Sequence, residues 1–128
     1  MVEERFASEA GGTRHWPREL RLNRAERVLS VTFDDGSHFD LPAEYLRVES
    51  PSAEVQGHTP AQRRWLGGKS GVAITGVEPV GHYAVRLTFD DGHDSGIYTW
   101  SLLHRLGRDH DTLWPAYLAE IAARGLSR

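Results

Sequence analysis

Apolar and polar residues alternate along six short stretches of the chain, and these fall into two matching groups of three. Glu19-Leu20-Arg21-Leu22 has the period of two of a half-buried strand, and so do Leu29, Val31 and Phe33 between Ser30 and Thr32. Ser37 to Leu41 reads as the returning strand. The second group opens with a strand over Val72-Ala73-Ile74-Thr75 through Val80. Tyr83, Val85, Leu87 and Phe89 then alternate with Ala84, Arg86 and Thr88, and Ser95 to Thr99 returns. The groups share a phrase: Val31-Thr32-Phe33-Asp34-Asp35-Gly36 recurs as Leu87-Thr88-Phe89-Asp90-Asp91-Gly92. Asp-Gly predicts a tight hairpin turn, because glycine accepts a positive φ without a steric penalty.

Each group runs into an apolar, aromatic-bearing segment with helical character. Pro42 suits a first helical turn, and Tyr45 and Leu46 would pin that short helix to a sheet. Thr99 is placed to cap a helix carrying Trp100, Leu103 and Leu106, with Gly107 as its stop. A final helix is predicted from Asp111 or Thr112. Its Trp114, Tyr117, Leu118 and Ile121 fall at i, i+3, i+4 and i+7, one apolar stripe, with Gly125 just past its end. Pro115 fits only near its first turn. The order is β-β-β-α, loop, β-β-β-α-α. This is an α+β fold of antiparallel hairpins in a duplicated strand-turn-strand-helix pattern, with the C-terminal helices packed on the sheet. Phe33, Tyr83, Phe89, Trp100, Trp114 and Tyr117 are the expected aromatic core.

Residues 49–71 break the pattern. Ser50-Pro51-Ser52-Ala53-Glu54 and Gly57-His58-Thr59-Pro60 are turn formers, and Gln62-Arg63-Arg64-Trp65-Leu66 sets one large aromatic among charges. Long irregular segments inside small domains are often functional, so this loop is the first candidate for a binding surface.

A chain of 128 residues most simply makes one domain, here 15–128, with the charged, glycine-containing residues 1–14 expected to be disordered. No cysteine is present, which excludes disulfides, thiolate metal sites and cysteine nucleophiles. A net charge of −3 and a pI near 6.1 argue against a nucleic-acid partner. No apolar run approaches the roughly 20 residues of a membrane span, and no secretory signal precedes the first strand. A cytoplasmic location is the default expectation.

The chemistry on offer is sparse. Asp34, Asp35, Asp90 and Asp91 allow an acid/base or metal reading, but Asp-Asp-Gly is also ordinary hairpin chemistry, and neighbouring strand residues face opposite ways. The seven histidines, His15, His38, His58, His82, His93, His104 and His110, form no recognised metal motif. Ser50, Ser52 and Ser95 lack a nucleophile-elbow context. Gly67-Gly68-Lys69-Ser70 echoes only the end of a phosphate loop, without the strand before it or the helix after it.

Longer matches are more specific. Leu41-Pro42-Ala43-Glu44-Tyr45-Leu46-Arg47-Val48-Glu49-Ser50-Pro51-Ser52-Ala53-Glu54-Val55-Gln56-Gly57-His58, Val77-Glu78-Pro79-Val80-Gly81-His82-Tyr83-Ala84-Val85 and Phe89-Asp90-Asp91-Gly92-His93-Asp94-Ser95-Gly96-Ile97-Tyr98 resemble the small bacterial proteins of the gamma-butyrobetaine hydroxylase-like N-terminal domain family. The resemblance covers about residues 16–125 and implies an antiparallel α+β domain of unknown function. In the eukaryotic hydroxylases a similar domain precedes a 2-oxoglutarate- and iron-dependent catalytic domain. This chain leaves no room for one, so oxygenase activity is not expected. Elsewhere a similar domain is joined to Mrp-type P-loop ATPases that carry iron–sulfur clusters, which implies an accessory role.

In the hydroxylases the domain holds a structural zinc on a Cys-x-Cys-x-x-Cys cluster and a later histidine. Those positions fall here on Ser50, Ser52, Val55 and His93. A decayed site, with Ser50, Ser52, His58 and His93 hydrogen-bonded together, is the leading expectation. A rebuilt zinc-type site on His93 and His58, helped by Glu54 or Asp94, is the alternative.

Three functional readings follow. The first is a non-enzymatic domain, monomeric or weakly dimeric, that binds a protein partner, with the resemblance pointing to iron–sulfur or metal-cofactor assembly. Its surface would comprise His58, Arg63, Arg64, Trp65, Asp91 and His93. The second is a metal-binding domain using His93 and His58. The third is a small enzyme acting through converging aspartates.

Overall fold

The computed structural model describes residues 15–128; the segment 1–14, expected to be disordered, lies outside the described residues. Two three-stranded antiparallel sheets follow one another along the chain. The first contains β1 (Pro17–Asn23), β2 (Val28–Phe33) and β3 (His38–Pro42), and the second contains β4 (Ile74–Val80), β5 (Ala84–Phe89) and β6 (Gly96–Thr99). In each the middle strand of the sequence is the middle strand of the sheet. The repeat extends to irregularities: β1 slips register against β2 between Pro17 and Glu19, and β4 slips against β5 between Ile74 and Gly76. The α+β reading with duplicated hairpins therefore holds.

A helix follows each hairpin pair, α1 (Ala43–Val48) in the first half and α3 (Trp100–Arg108) in the second. Between the halves lie a one-turn helix α2 (Ala53–Gln56) and a 3-10 turn over Pro60–Gln62, and α4 (His110–Ala123) ends the fold. The short α1 is buried along its whole length. One apolar cluster joins Leu29, Val31 and Phe33 of β2 to Leu87 and Phe89 of β5, with Tyr45, Leu46, Leu103 and Leu106 from the helices. A smaller cluster sets Val48 against Tyr117 and Ile121 of α4, and Trp65 and Leu66 of the 49–71 segment pack on it.

Two buried tyrosines tie the halves together. Tyr45 on α1 donates its hydroxyl to the carbonyl of Leu106 on α3, and Tyr98 on β6 donates to the carbonyl of Leu46 on α1, each at 2.6 Å. A buried phenol needs such a partner, because an unpaired hydroxyl there costs about 1–3 kcal/mol.

Several local expectations change. Thr99 caps α3 as its pattern predicts, its hydroxyl accepting the Leu102 N–H at 3.1 Å. Gly107 does not stop that helix, which continues to Arg108. The glycine is required because a Cβ there would enter the ring of Phe39. Pro42 sits just before α1, as the last residue of β3, instead of in the helical turn. α4 starts one residue earlier than predicted, which puts Pro115 in its second turn, where an intrahelical hydrogen bond is lost. Tyr83 is not core. It lies in the turn before β5, 47% exposed, with its ring against Gly81. The other five expected core aromatics pack as predicted, Trp114 only half-buried.

Alanine at an ordinary helix position is favoured over glycine by about 1 kcal/mol. At position 107 the sign should reverse. Gly107→Ala is expected to destabilise by about 1–3 kcal/mol through overpacking, read as a lower urea midpoint.

Candidate functional site

The two Asp-Asp-Gly turns fold alike. Gly36 (φ 89°) and Gly92 (φ 92°) both occupy the left-handed region. In each turn the phenylalanine carbonyl accepts the glycine N–H at 3.1 Å, and its N–H bonds the carbonyl of Ser37 or His93. The first aspartate of each pair faces the segment leading into the sheet's first strand. The Asp90 carboxylate accepts the Ala73 N–H at 3.1 Å, and Asp34 faces the Trp16 N–H at 3.5 Å. The second aspartate closes its own turn: Asp35 accepts the Ser37 N–H at 2.9 Å and Asp91 accepts the His93 N–H at 3.1 Å. Each pair thus diverges into backbone duties, as the hairpin reading predicts. The reading as a small enzyme with converging aspartates is dropped.

The outer oxygen of each second aspartate meets the helix of the other half of the chain and a residue ahead of the first strand of its own sheet. Arg47, fifth residue of α1, donates Nε to Asp91 Oδ2 at 2.8 Å, and Lys69 Nζ joins at 2.6 Å. His104, fifth residue of α3, places Nε2 3.2 Å from Asp35 Oδ2, and His15 Nδ1 lies 3.5 Å away. Burial pushes the Asp91 carboxyl up, but hydrogen bonds from Lys69, the His93 N–H and Arg47 outweigh it and bring its pKa down to about 2. Lys69, the one cation of the weak phosphate-loop echo, is therefore committed to an aspartate. Sequence reasoning missed Arg47, His15 and His104 as partners of the turns. The repeat did not reveal them, because its 56-residue spacing sets Arg47 against Leu103, and only the helix starts in the structure make Arg47 and His104 equivalent.

Behind the second turn lies the position of the hydroxylases' zinc. His93 is 7% exposed and sits between Ser50 Oγ (Nε2, 2.9 Å) and Glu54 Oε1 (Nδ1, 3.2 Å). Ser50 Oγ also accepts the Ser52 N–H at 3.3 Å, and Ser95 donates to Glu54 at 2.9 Å. Ser50, His93 and Glu54 stand in the order of a serine–histidine–carboxylate relay, but Ser50 is wholly buried. A Cβ on Gly96 would stand 2.7 Å from its hydroxyl, so no substrate carbonyl fits against it. The arrangement ties α2 to the second turn. His58 takes no part: its N–H bonds Gln62 Oε1 at 2.8 Å, and among the described residues no contact joins it to His93.

The remaining predicted surface residues separate. Buried His93 offers a partner no surface, and Asp91 is occupied by two cations. Arg63 is drawn inward, donating to the Val48 carbonyl at 3.2 Å and pairing with buried Glu49 at 3.3 Å, with its guanidinium 3.9 Å over the Trp65 ring. His58 and Arg64 are exposed. Gln56, Gly57, His58, Thr59, Pro60, Arg63 and Trp65 line an open depression of about 470 Å³. The loop that frames it is fastened: Arg64 N–H bonds the Val55 carbonyl at 2.7 Å, Tyr117 donates to Leu66 at 2.6 Å, and Gly68 N–H bonds Ser127 at 2.8 Å.

Buried polar ties, a buried serine and a surface depression define a small α+β domain built on two three-stranded antiparallel sheets. The chain belongs to the gamma-butyrobetaine hydroxylase-like N-terminal domain family, whose sequence model matches residues 20–104. It is similar to a protein solved in solution by NMR, with 49% identity, a TM-score of 0.77 and coverage of 89% of this chain and 90% of that one. A second NMR structure shares 45% identity at a TM-score of 0.77, over 89% of this chain and 85% of the other. The crystal structure of a protein of unknown function of the DUF971 family from Acidithiobacillus ferrooxidans shares 43% identity at a TM-score of 0.60, over 71% and 91%. No curated protein matches the chain.

Two titrations follow. Burial lowers the His93 pKa, the Arg47 charge adds to this, and Glu54, Asp91 and Asp94 oppose it. The unfolded chain then takes up that proton more readily than the folded one. The stabilisation is present above the unfolded imidazole pKa of about 6.5 and is lost as pH falls through it. Urea titrations should show stability declining from pH 7 to 5, and less steeply in His93→Gln. Asp91, depressed to about 2, contributes stability above the unfolded carboxyl range that is lost as pH falls toward that value. Asp91→Asn should be less stable at pH 7 and flatter between pH 4 and 2.

Proposed function

We propose that this chain is a non-catalytic accessory domain that binds a protein partner through the depression around Trp65, in the service of iron–sulfur or other metal-cofactor assembly. The observation that carries the reading is the depression itself. A long segment whose regular structure is limited to α2 and one 3-10 turn is fastened by backbone and aromatic ties, and the result is a concave face with an aromatic floor and a basic rim. Trp65 and arginine are the residue types that anchor interfaces. Arg64 is exposed and has no ion pair among the described residues, so it favours an acidic segment as ligand. The metal-assembly setting is supported by the family's association with cluster-carrying ATPases. Among the described residues no helix is long and apolar enough to cross a membrane, which agrees with a cytoplasmic site of action.

A photo-reactive residue at exposed Ala61 should crosslink a specific partner in cells. Recovery should fall about ten-fold when Arg64→Glu is combined with His58→Ala, the circular dichroism being unchanged. Equal recovery from a label at Ile97 on β6, or undiminished recovery from the double variant, would reject the reading.

A further inference from the structure

The two turns are equivalent in backbone but not in charge. Asp91 meets a guanidinium and an ammonium, from Arg47 and Lys69. Asp35 meets two imidazoles in the corresponding places, His104 from α3 and His15 from the residues before β1. Imidazole, unlike guanidinium or ammonium, is not a permanent cation at neutral pH. The first half therefore lacks the permanent cations that the second half builds in, and it has in their place the side chains that most often bind metals.

We propose that His15, Asp35 and His104 form a binding site for one zinc-like divalent cation, held by His15 Nδ1, His104 Nε2 and Asp35 Oδ2 with water completing the shell. Among the described residues this is the single group of three or more such donors, all within 4.8 Å of one another. Donors on a tetrahedral zinc, with bonds of about 2.0–2.2 Å, stand about 3.3 Å apart. The carboxylate lies 3.2 Å from one ring nitrogen and 3.5 Å from the other.

The surroundings resemble the supporting contacts of a metal site. The other carboxylate oxygen, Asp35 Oδ1, accepts from the Ser37 N–H at 2.9 Å and from its hydroxyl at 2.5 Å, which fixes the carboxylate and leaves Oδ2 pointing out. Phe33 and Phe39 stand edge-on to His104, with ring centroids 4.9 and 5.3 Å away. His104 is 8% exposed. His15 Nδ1 is buried without a hydrogen-bond partner, and so is His104 Nδ1 on the far side of its ring, while His104 Nε2 bonds the Asp35 carboxylate that a cation would share.

One adjustment is needed. The rings lie stacked, centroids 3.6 Å apart and 8° from parallel, so their in-plane lone pairs run side by side. A cation between them would sit out of both planes. His15, whose side chain is 27% exposed and which precedes β1, is the ring that turns. Binding therefore unstacks the pair, and that change is observable.

The untagged full chain, purified without chelator and then titrated with zinc, tests the site. One equivalent should bind, with the His15 and His104 imidazole nitrogen resonances shifting together as the stack opens. His15→Ala should weaken binding by about ten-fold or more. Asp35→Asn, which keeps the turn's N–H acceptor, should do the same with an unchanged far-ultraviolet spectrum. His93→Ala should leave zinc binding intact. Absence of uptake would overturn the proposal, as would uptake indifferent to His15→Ala and Asp35→Asn, or uptake lost only in His93→Ala. Resonances that move with pH but not with zinc would make the site a proton site and equally overturn it.

Discussion

Four polar ties at the centre of this fold cross from one half of the duplication to the other. Arg47 follows the first hairpin but holds the second turn, while His104 follows the second hairpin and faces the first. Tyr45 and Tyr98 repeat the exchange in the buried layer, their hydroxyls reaching carbonyls of the opposite half. The constraint behind this is elementary. A tight Asp-Gly turn projects a carboxylate and a bare backbone from the end of a sheet, and its own short helix leads away from it. The elements placed to meet those groups are the helix of the other copy and the segment leading into the turn's own sheet. The buried α1 has ties to the second half at two points, Arg47 to the second turn and the Leu46 carbonyl to Tyr98 of β6.

Much of this architecture was readable from the chain. The repeated hexapeptide located both turns, and strand alternation located the six strands within a residue or two. Legibility ended where an identity depended on a distant neighbour. Gly107 looks like a helix stop because glycine usually is one, but it answers to the Phe39 ring across the core. Tyr83 continues an alternating pattern one residue past the strand and so falls in the turn. Period alone does not mark where hydrogen bonding ends. The buried role of Tyr98 was equally invisible, since its acceptor lies 52 residues away.

The candidate surfaces were legible in the same uneven way. His58, Arg63 and Trp65 do meet around one depression, because the turn formers between them bend the chain back on itself. His93 was correctly placed beside Ser50, yet it faces inward. The aspartates needed the three-dimensional exchange to be understood: the guanidinium or imidazole that each one meets from a helix comes from the opposite half. The two halves have kept the backbone of the turn and changed the chemistry around it, in one case to fixed positive charge and in the other to paired imidazoles.

The crossed ties have the logic of a symmetric dimer written into one chain. In a two-fold interface residue i meets j and j meets i, and here the fifth residue of each post-hairpin helix meets the second aspartate of the opposite turn. Each turn takes one of its charged or imidazole partners from the helix of the opposite half, so neither half is a self-sufficient unit. The chain is physically a pair of subunits that share one backbone. A change on one side of the pseudo-axis is felt on the other, through contacts spanning 44 to 69 residues of sequence. Such non-local closure delays completion of the native state until both copies have docked.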